Sequence, residues 1–219
     1  MEYTKRDHAY AKLILDAGKD MLARHLTIET WGNISLRDPV TGRIYLTPSG
    51  MDYSTLQEED VCILDADGKD LTNFRKPSVE KQMHIDIYHT RRDVYAIVHT
   101  HPLDSTVFAV LQKSIPVVTD EMAQAIGGEV HCAKYALPGT KELAHNVCAA
   151  LGNVQACLLA NHGALVVGKD IKECFKNAAV LETSANIYYH ALAIGKPVII
   201  DPENVTSMRD FALHRYGQK

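Results

Sequence analysis

Residues 96–102, AIVHTHP, place two histidines at the end of an apolar segment that predicts a buried β-strand. Side chains two residues apart in a strand point to the same face, so His99 and His101 should project together. Pro102 suits the first turn of a helix, and the helix-compatible segment 102–111 begins with it. Two imidazoles on one side of a strand end can share a metal ion, so this stretch predicts a metal site. Two histidines that only satisfy hydrogen bonds are the alternative.

The apolar periodicity on both sides of this stretch predicts one α/β domain spanning residues 1–219. Helical spacing covers 5–25, where Thr4 and Asp7 can form a capping box, and 77–91, where Ser78 can be the N-cap. Further helices are predicted over 102–111, 123–128, 140–152, 171–194 and 208–219, and strands over 32–36, 43–46, 61–64, 96–98, 116–118, 130–132, 157–160 and 165–167. Hairpin-type turns such as Asp67-Gly68 favour a mostly antiparallel or mixed sheet.

Composition excludes several classes of protein. The 219 residues are 46% hydrophobic, which is enough for a sizeable core. A formal net charge of -4 and the lack of a basic cluster argue against nucleic-acid binding. No apolar stretch has membrane-spanning length. The five cysteines form no Cys-x-x-Cys pair, which predicts reduced thiols and a cytoplasmic location.

A third histidine is needed to complete the predicted metal site, because catalytic zinc usually takes three protein ligands. His162 is the best candidate, since it directly follows an apolar strand at the tight turn Asn161-His162-Gly163. His84, His89 and His131 are its competitors. The remaining histidines lie in helical or terminal contexts and are expected to be structural or surface residues: His8, His25, His145, His190 and His214.

Three neutral histidines on zinc could polarise a carbonyl group, and proton transfer beside that carbonyl also needs a base. Glu80 at the start of its helix is the candidate, with an ordinary surface carboxylate as the alternative. Two turns, Gly32-Asn33 and Ser49-Gly50, offer backbone N–H groups, and Ser78 adds a hydroxyl at a helix N-terminus. Together they suggest a phosphate pocket, although none matches a Walker or dinucleotide fingerprint.

Five short motifs occur in an order that resembles the class II aldolase/adducin-head family. They are GNIS at 32–35, TPSG at 47–50, PSVE at 77–80, HTHP at 99–102 and NHG at 161–163. The resemblance extends over nearly the whole chain. It implies a three-layer α/β/α domain around a central, mainly antiparallel sheet.

The resemblance also implies a complete set of site residues. One zinc ion per subunit, or Mn²⁺ or Co²⁺ in its place, would be held by His99, His101 and His162. Glu80 would be the acid/base residue and a ligand that substrate can displace, and Tyr216 in the tail would be a second catalytic residue. The substrate phosphate would be held by Thr30, Gly32, Asn33, Ser49, Gly50 and Ser78. Family members of this kind are usually cyclic homotetramers with sites near subunit interfaces.

The activity implied is reversible cleavage of a ketose 1-phosphate into dihydroxyacetone phosphate and a short aldehyde. The chain departs from the family's aldolases at Val79, where a second serine is common, and at Glu121, near which a neighbouring subunit's tyrosine aligns. The alternatives within the family are a pentulose-5-phosphate 4-epimerase, which carries aspartate in place of Glu80, and a thio-sugar-phosphate dehydratase. A non-catalytic adducin-like binding module and a metallo-hydrolase fit less well.

Overall fold

Seven short strands form one sheet at the centre of the molecule. The computed structural model describes residues 3–218. The strands are β1 (Asn33–Arg37), β2 (Ile44–Leu46), β3 (Cys62–Leu64), β4 (Ala96–Thr100), β5 (Cys132–Ala133), β6 (Ala156–Leu159) and β7 (Gly163–Gly168). Their order across the sheet is β3-β2-β1-β4-β7-β6-β5. All neighbours are antiparallel except β5 and β6, which are parallel. The predicted mainly antiparallel sheet is therefore confirmed.

Seven helices surround the sheet: α1 (Lys5–Ala23), α2 (Lys81–Thr90), α3 (Leu103–Val110), α4 (Asp120–Ala125), α5 (Lys141–Leu151), α6 (Ile171–Ile194) and α7 (Pro202–His214). Buried side chains of α2 and α5 share one apolar cluster with one face of the sheet. Those of α1, α3, α4 and α6 share a second cluster with the other face. The three-layer α/β/α arrangement expected from the resemblance is confirmed. No helix in residues 3–218 is long and apolar enough to cross a membrane.

Successive side chains of β4 point to opposite faces of the sheet, so this strand packs against both helical layers. Ala96 and Val98 lie in the cluster with α1 and α6, whereas Ile97 lies in the cluster with α2 and α5. By the same period of two, His99 shares the face of Ile97. The central strand is fully buried up to its end, so its last polar side chains are held by a rigid core.

Several boundaries differ from the sequence prediction. Residues 116–118 form no strand, and the only pairing there is an isolated bridge between Ile115 and Val130. The C-terminal helix begins at Pro202, because Pro at the first helical position and the preceding Asp201 favour a start there. Lys219, at the end of the predicted tail helix, lies outside the described residues.

The start of α2 also differs, and this difference matters for the site. Its N-cap is Glu80, where Ser78 was expected. The Ser78 hydroxyl instead accepts a hydrogen bond from the Glu80 backbone N–H at 3.3 Å. Since the Glu80 side chain makes no capping bond, it is free to point away from its own helix.

Candidate active site

Three imidazole rings converge where β4 ends and where the turn between β6 and β7 reverses the chain. Nε2 of His99 lies 3.1 Å from Nε2 of His101 and 3.2 Å from Nε2 of His162. Nitrogens bound at zinc's usual distance in a tetrahedral site are about 3.3 Å apart. Two of the separations thus match ligands of a single metal ion, and all three nitrogens lie within 4.8 Å of one another, as a group able to hold one.

The protonation of these rings suits metal binding. The Nδ1–H group of His99 donates to the Ala164 carbonyl at 2.9 Å, which leaves Nε2 with a free lone pair. Complete burial, with His162 close by, lowers the pKa of His99 to about 3. Burial and the neighbouring His99 lower the pKa of His101 to about 3 as well. Both rings are therefore neutral at pH 7.

Two glycines allow neighbouring loops to approach the end of β4. Gly32 has a φ of +75°, and a Cβ there would lie 2.5 Å from the His99 carbonyl oxygen. A Cβ at Gly163 would collide with the Thr100 carbonyl oxygen. Only glycine fits either position, so the loops carrying Asn33 and His162 can close on the histidines of β4.

Glu80 reaches the same point from the start of α2. Its residue is only 5% exposed, with Oε2 lying 3.4 Å from Nε2 of His99 and Oε1 lying 3.8 Å from Nε2 of His162. Among the described residues, Oε1 has no hydrogen-bond partner. A buried carboxylate oxygen without a partner is costly, and a cation beside the three nitrogens would satisfy it. The donor set therefore fits a divalent metal ion.

Asn33 holds the other oxygen of that carboxylate. Its Nδ2 group donates to Oε2 of Glu80 at 2.8 Å. Asn33 stands opposite His99 in the register of β1 and β4, so its side chain emerges on the same face of the sheet. The Asn33 carboxamide therefore binds Glu80 and also lines the cavity beside it.

A cavity of about 450 Å³ opens beside Glu80, His101 and His162. Its lining includes all six residues that the resemblance assigns to phosphate binding: Thr30, Gly32, Asn33, Ser49, Gly50 and Ser78. Val79 and Pro138 also line it. Within the described chain its walls carry no Lys or Arg, so an anion there would be met by N–H groups, hydroxyls and the metal.

The competing histidines lie elsewhere. His89 is exposed and contacts the Ala66 carbonyl at 2.9 Å, and His131 is exposed beside Glu129. His84 is buried and contacts Asn33 and Ser35 through its two ring nitrogens. Since none of the three belongs to the group around His99, His162 remains the third candidate ligand.

The cavity is lined neither by Tyr216, expected as a second catalytic residue, nor by Glu121, where the chain departs from the family's aldolases. Tyr216 is 70% exposed, and its ring packs against Phe211 with centroids 6.0 Å apart. Glu121 is exposed in the first turn of α4. Within one chain, neither residue belongs to the wall that contains Glu80 and the histidines.

Trp31 is a site residue that the sequence reasoning missed. It lines the cavity, and its ring lies parallel to that of His101, with centroids 6.4 Å apart and planes at 5°. More than half of its surface is exposed. The available signal was its position directly before Gly32-Asn33, because a large exposed aromatic beside a predicted anion-binding turn is unusual.

The fold and site together define an α/β domain with a candidate metal centre and a polar cavity at the end of its central strands. A family model described as Class II Aldolase and Adducin N-terminal domain matches residues 12–189. The chain belongs to this family.

The relatives of the chain are aldolases. It is 37% identical over 206 residues to a 5-deoxy-D-ribulose 1-phosphate aldolase of Bacillus thuringiensis serovar kurstaki, covering 94% of this chain and 96% of the relative. It is 34% identical over 188 residues to an L-fuculose phosphate aldolase of Escherichia coli strain K12, covering 86% of each. A solved L-fuculose 1-phosphate aldolase superposes with a TM-score of 0.89 at 35% identity, covering 92% of this chain and 95% of that one. The chain is thus an enzyme of the lyase class, a class II aldolase.

Proposed function

We propose that this enzyme cleaves a ketose 1-phosphate reversibly into dihydroxyacetone phosphate and a short aldehyde, with one zinc ion bound by His99, His101 and His162. Mn²⁺ or Co²⁺ could occupy the same ligands. The observation that carries the proposal is the position of the Glu80 carboxylate, beside the three imidazoles and at the wall of a cavity rich in N–H and hydroxyl groups. The metal would supply positive charge that polarises the substrate carbonyl.

The residues of the chain divide the remaining work. The turns at Thr30–Asn33 and Ser49-Gly50, with the Ser78 hydroxyl, would hold the phosphate through N–H and O–H donors. Glu80 would exchange a proton with C3, the carbon of dihydroxyacetone phosphate that bonds to the aldehyde in the condensation direction. In the cleavage direction the bond between C3 and C4 breaks, C4 becomes the aldehyde carbon, and Glu80, after taking up a proton from water, delivers that proton to C3. The C4 hydroxyl loses its proton to water or to a tyrosine, for which Tyr216 is the candidate.

The substrate's far end would lie against an apolar groove. This groove shares His101 and His162 with the polar cavity and is lined on its other side by Leu103, Val107 and Val110 of α3 and by Leu111 directly after it. A groove of this character favours an aldehyde with an apolar terminus. L-fuculose 1-phosphate and 5-deoxyribulose 1-phosphate both end in a methyl group, so both are candidate substrates.

We further propose a homotetramer. Leu192 and Ile194 near the end of α6 and Val198 beyond it are 50%, 91% and 87% exposed in the single chain, as an assembly interface would explain. Light scattering coupled to size exclusion measures the mass, and a monomer would contradict this part of the proposal.

The function is tested with purified enzyme, zinc and a panel of ketose 1-phosphates and pentulose 5-phosphates. Release of dihydroxyacetone phosphate, identified by NMR, is the expected result. Inversion at C4 without release of a triose phosphate would indicate an epimerase, and loss of water would indicate a dehydratase. Absence of both turnover and bound metal would indicate a binding module.

The role of Glu80 has its own variant. Glu80→Gln keeps the shape and removes the basicity, so kcat should fall on the order of 10²-fold or more. Exchange of the dihydroxyacetone phosphate proton with solvent should fall in parallel, because that step needs the base without the aldehyde. Metal content and phosphate binding should survive. Near-normal exchange would refute the assignment, and Glu121 would become the next candidate.

A further inference from the structure

A buried row of polar side chains extends from Glu80 into the layer between β1 and α2. Asn33 and Ser35 are two residues apart on β1, so they share one face of the sheet. Glu80, His84 and Tyr88 recur every fourth residue at the start of α2 and along it, so they share one stripe. Each is at most 5% exposed. So many polar groups in a buried layer require mutual hydrogen bonds.

Those hydrogen bonds form a continuous chain. The Tyr88 hydroxyl lies 2.8 Å from Oγ of Ser35, which lies 2.7 Å from Nδ1 of His84. On the other side of the ring, Nε2 contacts Oδ1 of Asn33. The amide nitrogen of Asn33 then donates to Oε2 of Glu80 at 2.8 Å.

The direction of every bond follows from the carboxylate at the end of the row. Oε2 of Glu80 accepts from the NH₂ group of Asn33, so the Asn33 oxygen is the atom presented to His84. His84 must therefore carry its proton on Nε2 and accept at Nδ1 from the Ser35 hydroxyl. Ser35 has given its only proton to His84, so it accepts from Tyr88.

Asn33 supplies the sole hydrogen bond to the Glu80 carboxylate among the described residues. If its amide turned over, an oxygen would face the carboxylate and the bond would become a repulsion. The Nε2–H tautomer of His84 prevents this, because an N–H group opposite the Asn33 oxygen admits one orientation only.

We propose that His84, held by Ser35 and Tyr88, is a positioning residue that fixes the Asn33 amide so that it holds Glu80 beside the three histidines. The inference rests on the proposed role of Glu80 as the base. It assigns a reason for the spacing of Glu80, His84 and Tyr88 on α2. It also gives Asn33 a role beyond contact with the phosphate.

A matched pair of variants tests the proposal. The amide nitrogen in His84→Gln can take the place of Nε2 and keep the bond to Asn33. The amide in His84→Asn lies near Nδ1, so it keeps the Ser35 bond and loses the one to Asn33. We expect kcat to fall about 10- to 100-fold in His84→Asn, the usual range for an outer-shell partner, with KM changed less. His84→Gln should retain kcat within about threefold.

A purely structural role gives a different pattern. In that case both variants lose activity in proportion to their loss of thermal stability, irrespective of which bond is kept. Equal kcat values, or a lower value for His84→Gln, would overturn the proposal. If His84→Asn does not fold, Ser35→Ala serves instead. It leaves Nδ1 of His84 without a donor, so the tautomer is no longer fixed. An undiminished kcat in Ser35→Ala would also overturn the proposal.

Two measurements on the metal-free protein separate this proposal from the proposed function. The ¹⁵N shifts of the wild-type His84 ring should show the proton on Nε2, and a proton on Nδ1 would overturn the inference whatever the activity. Crystal structures should show the Glu80 carboxylate in place in His84→Gln and rotated in His84→Asn. If the wild type cleaves no ketose phosphate, the function fails, while these two results still decide the hydrogen-bond chain.

Discussion

Replacing Gly32 by alanine tests how the loop over residues 30–33 is held against the three histidines. Gly32 has a left-handed φ of +75°, and its missing Cβ leaves room for the His99 carbonyl oxygen, which would lie 2.5 Å away. The Tyr53 hydroxyl donates to the Gly32 carbonyl at 2.7 Å and fixes the loop from its other side. The loop cannot simply retreat, so the substitution should disturb both Asn33 and His99.

The magnitude has two parts. An alanine held in the left-handed region costs roughly 1–2 kcal/mol. Relief of the contact with the His99 carbonyl requires a shift of about half an ångström in a packed site, and such overpacking costs about 1–3 kcal/mol more. Gly32→Ala should thus lower the free energy of unfolding by about 2–5 kcal/mol. Since a 1 Å misplacement can cost on the order of 10²-fold in rate, kcat should fall roughly tenfold or more.

Gly42→Ala is the matched control. Gly42 has nearly the same φ, +73°, but a Cβ there meets nothing within 4 Å. Gly42→Ala should lower the free energy of unfolding only by the cost of an alanine in the left-handed region, roughly 1–2 kcal/mol, and leave kcat unchanged. Urea unfolding followed by circular dichroism gives both values. If the two variants lose equal stability, or if Gly32→Ala keeps full activity, the close approach to His99 is not what this glycine provides.

Two further predictions concern the metal and the tail. Single replacements of His99, His101 or His162 by alanine should abolish stoichiometric metal binding measured by elemental analysis, whereas His131→Ala should keep it. The third ligand is wrong if His162→Ala stays fully loaded. Tyr216 is 70% exposed and its ring packs against Phe211 of α7, so Tyr216→Phe should leave the melting temperature unchanged. If it supplies a phenol to the reaction, kcat should fall about tenfold or more, and unchanged kinetics would remove it from the mechanism.

The strongly periodic parts of the fold could be predicted from the sequence. The helix over 171–194 matches α6, and the capping box of Thr4 and Asp7 begins α1. Segments with a weak pattern could not. Pro116-Val117-Val118 reads as a strand because two β-branched residues follow one another. In the structure it forms no strand: the preceding Ile115 makes an isolated bridge with Val130, and the Val117 carbonyl accepts a hydrogen bond from the Ile200 N–H at 2.9 Å.

For the candidate site too, some features could be predicted from the sequence and others could not. The convergence of His99 and His101 follows from a period of two, and it is observed. The position of His162 depends on the pairing of β4 with β7, which is a long-range contact that local pattern does not specify. For the same reason the bond between Asn33 and Glu80 was missed. It depends on where α2 crosses β1, which the local pattern does not specify. The N-cap of that helix is Glu80 and not the predicted Ser78.

The strand period of two and the helical period, which build the core, also position the site residues. On β1 the alternation that buries Ile34 and Leu36 against α1 turns Asn33 and Ser35 towards α2. Along α2 the helical stripe of Glu80, His84 and Tyr88 faces them. A shift of one residue in the register of β1 would turn Asn33 away from Glu80 and expose apolar side chains to the polar row. Selection of the correct sheet register by hydrophobic burial therefore also brings Asn33 to Glu80 and Ser35 to His84.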